Sequence, residues 1–308
     1  MSPTSWALLE DVSTMAETVG GDLDRATAVF AEVRPRLFGI AYRMLGSAAD
    51  AEDLVQEVWL RWQAADRSAV RDPLAYLATA TTRLAINAGR TARARHEVYA
   101  GPWLPEPVDT SADPQLGAER DAALQVAVLF LLEKLTPTQR AAYVLREAFG
   151  YSYAEIAEIV QATETSARQL VSRARRQLAD GRRAPVTGSE QRRLLTAFVA
   201  AARQGDLAAL EELFAADVVS YSDGGGVVRA SRIPVAGAAT VAKYVRAFAG
   251  HFWTGVEISW ATVNGESAAL LSRDGRVFTV LTVAVTADGI DRIFWMMNPD
   301  KLAAVGRT

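Results

Sequence analysis

The sequence predicts a multidomain protein with two all-α helical domains, the second with a helix-turn-helix, followed by a C-terminal α+β domain. Apolar residues recur at helical spacing through most of the first half of the chain. Further on, alternating apolar segments are separated by Asn264-Gly265, Asp274-Gly275 and Asp288-Gly289, pairs that favour β-hairpin turns. The chain has 308 residues, about twice the most common domain size, which favours several folded units.

Proline- and glycine-rich stretches divide the chain. Prolines 102, 105, 107 and 114 predict an extended linker, and Gly181 to Gly188 a second one. The segment before residue 25 has no sustained period, so we expect a loosely ordered leader. The predicted units are a leader 1–24, a helical domain 25–98, a linker 99–118, a helical domain 119–180, a linker 181–188, an α+β domain 189–303 and a tail 304–308.

In the first helical domain, local signals predict where helices begin and end. Gly46 is placed to stop one helix and Ser47 to cap the next, along which Leu54, Val58 and Trp62 form a buried stripe. Asp72-Pro73 predicts an N-cap followed by a first-turn proline, so a helix should run from Leu74 to about Ala94.

The second helical domain carries two capping boxes, at Thr136–Gln139 and Ser152–Glu155. A short helix from Tyr153 to Val160, a tight connection and a longer helix from about Glu164 give the outline of a helix-turn-helix. Ala167, Leu170, Val171, Ala174 and Leu178 should face inward, and the polar and basic residues of the opposite face can reach phosphates or base edges in a major groove. In the third domain, helices are expected over 190–203 and 207–215, before the strands.

Composition excludes several classes of function. The chain has no cysteine and only two histidines, which leaves few residues for a zinc cage or a Ser/His/Asp triad. We therefore expect no metal, no cofactor and no catalytic residue. The first basic residue is Arg25, so no secretory signal is expected, and no apolar run approaches the ~20 residues of a membrane span. These features predict a cytoplasmic protein without a membrane partner.

Positive charge is concentrated, although the net charge is −3. Arg83, Arg90, Arg93 and Arg95 have no acidic residue between them. The six arginines between positions 168 and 183 are interrupted by Asp180 alone. Two such stretches, about 80 residues apart, favour two phosphate-binding surfaces. The alternative for either helix alone is an ordinary solvated face.

An acidic helical face precedes both basic stretches in the sequence. Asp50, Asp53 and Glu57 are spaced three and four apart, flanked by Glu52 and Gln56. Phosphate would repel this face, so it should contact a basic protein surface. An ordinary solvated face is again the alternative.

Two regions and three short motifs carry a resemblance to a known family. Residues 43–62, with Ala-Glu-Asp-Leu-Val-Gln-Glu-Val-Trp-Leu, resemble region two of the extracytoplasmic-function (group IV) RNA polymerase sigma factors, and residues 135–178 resemble their region four. Trp103-Leu104-Pro105-Glu106-Pro107, Asp223-Gly224-Gly225-Gly226 and Asn298-Pro299-Asp300-Lys301-Leu302 look like the signature of the subgroup with a fused SnoaL-like domain, a cone-shaped, NTF2-like fold. Members often have Lys after the triple glycine, where this chain has Val227.

The resemblance implies a transcription initiation factor that binds core RNA polymerase and promoter DNA and is a monomer when free. The helix from Leu74 and the loop 68–72 before it would read and open the minus-ten element, and the helix from Glu164 would enter the minus-thirty-five major groove. The implied minus-ten residues are Arg83, Asn87, Arg90, Arg93 and Arg95. The implied minus-thirty-five residues are Thr163, Thr165, Ser166, Arg168, Gln169, Ser172, Arg173, Arg175 and Arg176. The implied polymerase-binding residues are Asp50, Glu52, Asp53, Gln56 and Glu57.

The third domain is expected to regulate the first two in place of a separate anti-sigma protein. Its implied autoregulatory interface consists of the three signature motifs, residues 103–107, 223–226 and 298–302. A small-molecule ligand in the cone is a hypothesis suggested by the fold alone. One alternative is a SnoaL-like isomerase or cyclase with helical partner-binding domains, for which Asp217, Asp223 and His251 are the candidate general bases. A second alternative is a repressor that binds DNA by itself.

Overall fold

The structure is a computed structural model that describes residues 4–110, 125–179, 186–303 and 305. It describes side chains from Leu23 onward, except those of residues 93–95 and 97. The expectations for residues 1–3, 111–124, 180–185, 304 and 306–308 therefore lie outside the described residues. Within the described parts, no helix is long and apolar enough to cross a membrane.

The first helical domain contains three α-helices and a short 3-10 turn among its described residues: α1 (Thr4–Leu45), α2 (Ala48–Ala64), the turn Arg67–Ala69 and α3 (Pro73–Glu97). Ser47 caps α2 by accepting from the amide of Asp50, and Asp72 caps α3 by accepting from the amide of Ala75. Gly46, at φ +68°, ends α1. These local predictions are confirmed.

The N-terminal segment differs from the expectation. Helix α1 begins at Thr4, inside the stretch that we expected to be loosely ordered. Gly20 and Gly21 lie within the helix, where each costs about 1 kcal/mol relative to Ala. Because no proline interrupts residues 4–34, this penalty does not stop a helix that is already nucleated further along.

The second helical domain contains α4 (Val126–Leu132), α5 (Pro137–Glu147), α6 (Tyr153–Val160) and α7 (Glu164–Ala179). Both predicted capping boxes form, at the start of α5 and of α6. The apolar residues of this domain and of the first helical domain belong to one continuous core, which extends from Ala26 to Leu178. The two helical domains therefore pack against each other and do not stand apart.

The C-terminal domain places helices on one face of a six-stranded sheet. The helices are α8 (Gly188–Gln204), α9 (Leu207–Leu213) and α10 (Ala238–Phe252), and a short α11 (Pro299–Leu302) follows the last strand. The strands are β1 (Phe214–Asp223), β2 (Val235–Ala236), β3 (Glu257–Val263), β4 (Glu266–Arg273), β5 (Arg276–Thr286) and β6 (Gly289–Met296).

The sheet order is β2-β1-β6-β5-β4-β3. The expected antiparallel meander is present in β3 to β6, and Asn264-Gly265 and Asp274-Gly275 have the positive φ angles of two-residue hairpin turns. Strand β1 pairs in parallel with β6, which the sequence pattern did not predict. Helix α10, which enters the core through Val241, Ala242 and Val245, was also missed.

The two faces of the sheet have different partners. One face packs on α8, α9 and α10. The other face holds Leu104 from the linker, Val126 and Phe130 from α4, and Leu302 from α11. The linker and the second helical domain are thus docked on the C-terminal domain.

Candidate promoter, polymerase and regulatory surfaces

The helix-turn-helix is formed by α6 and α7. The left-handed conformation of Gln161, at φ 55°, ends α6, and Thr163 accepts a hydrogen bond from the amide of Ser166 at the start of α7 (3.2 Å). Ala167, Val171, Ala174 and Leu178 are buried, as the spacing predicted, and Leu170 is half-buried.

The opposite face of α7 is open to solvent. Of the residues expected at the minus-thirty-five element, Ser166 is half-buried, and those exposed are Thr163, Thr165, Arg168, Gln169, Ser172, Arg173, Arg175 and Arg176. Arg168 is paired with Glu164 and Arg175 with Glu147, each at 2.6 Å. The hydrogen bond that Arg175 donates to Glu147 raises the pKa of Arg175. Because exposed ion pairs contribute little, a DNA phosphate can replace these carboxylates at small cost.

Helix α3 carries the residues expected at the minus-ten element, and one of them is bound within the protein. Asn87 and Arg90 are exposed, whereas the side chains of Arg93 and Arg95 lie outside the described residues. Arg83 donates to the backbone oxygens of Glu158 (2.9 Å) and Ile159 (3.0 Å), in the last turn of α6. A guanidinium is favoured there by the partial negative charge of the helix C-terminus.

The acidic face of α2 points outward. Glu52, Asp53, Gln56 and Glu57 are exposed and Asp50 is half-buried. Glu52 pairs with Arg34 (2.5 Å) and Glu57 with Arg61 (2.6 Å), both at exposed positions. Leu60, one turn beyond Gln56, is 58% exposed.

Residues 99–110, which we call the strap, run between the first helical domain and the C-terminal domain. Leu104, Pro105, Glu106 and Pro107 are buried. Trp103 stacks on His96 with ring centroids 3.9 Å apart, and its ring lies so close to Gly46 that an added Cβ would come within 2.5 Å of it. The strap ends as an edge segment of the sheet, where the amide of Thr110 donates to Thr262 (3.0 Å).

Asp223 and Lys301 hold the strap from the C-terminal side. The Asp223 carboxylate accepts from the Leu104 amide (2.9 Å), the Tyr99 hydroxyl (2.6 Å) and the Lys301 ammonium (2.7 Å). The ammonium also donates to the Leu104 carbonyl (2.5 Å) and lies 4.2 Å from the centre of the Trp103 ring. Burial lowers the pKa of Lys301, against the opposing effect of Asp223. Removing either charge would leave its partner buried without compensation.

The rest of the two C-terminal motifs supports this network. The Asn298 amide donates to the Tyr99 hydroxyl (2.8 Å), and the side chain lies where a Cβ on Gly225, at φ +64°, would come within 2.5 Å. Gly224 and Gly226 continue the turn, with Gly226 next to Ala100. Asn298 also caps α11, in which Pro299 and Asp300 are exposed and Leu302 is buried, and Val227 is 76% exposed.

Glu106, a residue of the strap, anchors it to the first helical domain. Its carboxylate accepts from the amide of Ala48 (2.8 Å) and the hydroxyl of Ser47 (3.1 Å), at the N-terminus of α2. This is the position at which a helix favours negative charge. The Glu106 carbonyl accepts from the buried Tyr42 hydroxyl (2.6 Å), which in turn accepts from Asn264 of the C-terminal domain (2.6 Å). Burial raises the pKa of Tyr42.

Glu133 joins the two helical domains. Its carboxylate pairs with Arg140 of α5 and with the ring nitrogen Nδ1 of His96 of α3 (3.0 Å). Arg140 also donates to the carbonyl of Arg43 in α1 (2.8 Å). Burial alone would raise the pKa of Glu133, but the charge of Arg140 and the bond from His96 lower it to about 2.

The carboxylates and imidazole suggested as enzymatic bases do not assemble into a site. Asp223 is engaged with the strap, and Asp217 is exposed. His251 lines a cavity between α10 and the sheet. Among the described residues, no group of three or more His, Asp or Glu side chains is arranged to hold a metal ion.

Comparison with known proteins decides the family. The family model for Sigma-70 region 2 matches residues 29–95, and that for Sigma-70, region 4 matches residues 125–178. The "ECF RNA polymerase sigma factor SigJ" of Mycobacterium tuberculosis (strain ATCC 25618 / H37Rv) is 36% identical over 290 residues, which cover 88% of this chain and 91% of that relative. The chain belongs to the extracytoplasmic-function (ECF) family of RNA polymerase sigma factors.

The similarity of this sigma factor to its relatives includes the C-terminal domain. The "Probable ECF RNA polymerase sigma factor SigI" of the same strain is 31% identical over 284 residues, 91% of this chain and 95% of the relative. The crystal structure of M. tuberculosis SigJ has a TM-score of 0.73 at 31% identity, covering 90% of this chain and 98% of that chain. The family resemblance and the predicted fold class are both confirmed.

The sequence pattern did not identify several residues that join the domains of this ECF sigma factor. Tyr42, Tyr99 and Asn264 contribute buried hydrogen bonds across domains, and Glu133 and Arg140 form a buried ion pair. Only Asn264 carried a sequence signal, and that signal indicated a turn. The others have no spacing that distinguishes them from ordinary core or surface residues.

Proposed function

We propose that this ECF sigma factor directs core RNA polymerase to its promoters in the cytoplasm, and that the C-terminal domain keeps the free monomer closed. The exposed face of α7 would enter the minus-thirty-five major groove, α3 would bind and open the minus-ten element, and the acidic face of α2 would bind polymerase. The observation that supports closure is the contact of Arg83, on α3, with the last turn of α6.

Distance along DNA makes this contact incompatible with promoter binding. The two elements lie about 25 base pairs apart, as their names state, and so about 85 Å apart at the B-DNA rise of 3.4 Å per base pair. Helix α7, with 16 residues, is itself only about 24 Å long. Surfaces that touch through Arg83 and α6 cannot reach both elements on straight DNA. Promoter recognition therefore requires the helical domains to separate.

The strap is the element that opposes separation. It is part of the covalent link between the two helical domains. Within it, Glu106 binds the N-terminus of α2, and Leu104 is bound by Asp223 and Lys301 of the C-terminal domain. As long as these bonds hold, the strap is fixed along the C-terminal domain. Polymerase would stabilise the open form by contacts that the closed form lacks, since a ligand shifts an equilibrium only through its preference for one state.

The test compares Lys301→Met with Lys243→Met. The first substitution removes the buried ammonium but keeps an apolar side chain of similar length, and the second changes an exposed lysine of α10. We expect Lys301→Met to increase the rate at which protease cleaves the strap in the free chain and to strengthen binding to core polymerase, with no change for Lys243→Met. Identical behaviour of both variants would reject the closing role of the C-terminal domain, but not the assignment of the chain to the sigma factors.

A further inference from the structure

A cavity of about 810 Å³ opens in the C-terminal domain between α10 and the sheet. Its volume lies in the range of sites that bind small organic molecules. Tyr244 and Phe248 of α10 form one wall, and Phe278 of β5 and Trp295 of β6 form another. Such a concave, mainly aromatic lining suits a planar ring system, which can stack on it.

The polar residues of the cavity are basic or neutral. Arg229, Arg273 and His251 line it, and no Asp or Glu occurs among its described lining residues. Arg273 is held in place, because it donates to the carbonyl of Phe252 (2.9 Å) and lies over the Phe278 ring (4.9 Å). Arg229 is exposed on the loop that follows the triple glycine. A guanidinium next to an aromatic slot matches a carboxylate, which it can bind through two parallel hydrogen bonds.

The cavity and the strap lie on opposite faces of the same two strands. Ser222 lines the cavity, whereas the next residue of β1, Asp223, binds the strap. On β6, Trp295 lines the cavity, whereas Met296 belongs to the core on the strap side. Successive side chains of a strand point to opposite faces. The residues that line the cavity are therefore the sequence neighbours of residues that contact the strap on the other face of the sheet.

The loop 224–232 adds a second connection. Val228 and Ala230 line the cavity, while Gly226 contacts Ala100 and Arg232 lies 3.3 Å from where a Cβ on Gly101 would be. The Tyr244 hydroxyl of α10 lies close enough to the side chains of Ser222 and Ser231 to interact with both, so α10 is coupled to β1 and to this loop. A ligand that repositions the loop would therefore move residues that contact the strap.

We propose that this cavity binds an aromatic carboxylate, with Arg229 binding the carboxylate and the aromatic walls stacking on the ring, and that occupancy changes the hold on the strap. The binding site stands independently of the role in transcription. Only its effect on the strap rests on the proposed function.

Binding is tested on the full chain with anthracene-2-carboxylate and its uncharged carboxamide, followed by fluorescence anisotropy. We expect the carboxylate to bind more tightly than the amide, by roughly the tenfold that a charge-assisted hydrogen bond supplies. Arg229→Gln should remove this difference, and Phe248→Ala should weaken both ligands. The matched control is Arg203→Gln, an exposed arginine of α8 outside the cavity. Absence of binding, or a preference for the carboxylate that survives Arg229→Gln, would overturn the site.

The effect on the strap is measured by hydrogen exchange at residues 99–110, with and without saturating anthracene-2-carboxylate. We expect a changed exchange rate in this segment in the wild-type chain, and a smaller change in Arg229→Gln at the same ligand concentration. Bound ligand with unaltered exchange would overturn the connection to the strap. Because this measurement uses no polymerase, its failure is distinguishable from failure of the closed-state model, which is tested by Lys301→Met.

Discussion

A disulfide between α3 and α5 should keep the sigma factor closed and inactive. A Cβ on Gly89 of α3 would lie 3.5 Å from the Cβ of Pro137 at the start of α5, which is within the range of about 3.5–4.5 Å that disulfides require. The chain has no cysteine, so thiols introduced by Gly89→Cys and Pro137→Cys can pair only with each other within a molecule. Cysteine at the first helical position leaves a backbone amide that needs no intrahelical partner.

The magnitude follows from the loop that the bond closes. A loop of about 48 residues corresponds to about 4 kcal/mol of stabilisation against unfolding in the chain-entropy model. For transcription, the covalent bond prevents separation of α3 from α5, so activity should fall to the fraction of molecules left unoxidised. With about 95% oxidation, the loss is about twentyfold, since apparent activity scales with the competent fraction.

The assay is run-off transcription with core polymerase on a promoter fragment selected by the wild-type holoenzyme. The oxidised double variant should be inactive, and reductant should restore it to the level of the two single-cysteine variants, which serve as controls. Full activity of the oxidised protein would refute the reasoning, because it would mean that α3 and α5 remain together during initiation.

Four further substitutions test other contacts. Gly46→Ala should destabilise the closed form by a few kcal/mol, since the methyl would meet the Trp103 ring at a positive φ; thermal unfolding measures this. Because the pKa of Glu133 is lowered to about 2, its ionised form contributes on the order of 3 kcal/mol to the free energy of unfolding. This contribution is fully present above the ordinary pKa of 4.5 and is lost as the pH falls towards 2. Glu133→Gln should therefore reduce stability at pH 7 and flatten the pH dependence of stability. Arg176→Ala should reduce promoter binding by the holoenzyme in footprinting without loss of polymerase binding, whereas Glu57→Ala should weaken polymerase binding in pull-down assays.

Substitutions of exposed neutral residues on α7 and α2 serve as controls for the two charged variants. Gln177→Ala lies on the exposed part of α7 and Gln63→Ala on the exposed part of α2, so neither should reproduce the effects of Arg176→Ala and Glu57→Ala. Equal loss of both activities in both charged variants would contradict the assignment of faces. A stability profile of Glu133→Gln parallel to that of the wild type between pH 5 and 2 would contradict the lowered pKa.

Local signals predicted most of the secondary structure but not the closed arrangement. Asp72, Thr136 and Ser152 act as caps because each accepts a hydrogen bond from the amide three positions further on, and a short stretch of sequence is enough to predict such a bond. The helix-turn-helix was predicted to within a residue for the same reason. Helix α10 was missed although Val241 and Val245 are one turn apart, because its glycine start, Gly237, carries no side-chain cap.

Contacts between domains had no comparable signal. Arg83 was predicted as a DNA-binding residue, and nothing in its neighbourhood indicates that it bonds two carbonyls of α6. Glu106 was identified by its motif, but its bonds to Ser47 and Ala48 depend on the path of the strap. Such contacts join residues far apart in the chain, so they follow from packing and not from spacing.

The distance between α3 and α7 tests the central claim most directly. In a chain without native cysteine, Thr91→Cys and Gln177→Cys place two labels at exposed positions of these helices. Energy transfer between the labels should be high in the free chain and should fall nearly to zero in the holoenzyme on promoter DNA, where the helices stand about 85 Å apart. Low transfer in the free chain, or high transfer retained on the promoter, would contradict the account of a closed sigma factor that opens on polymerase.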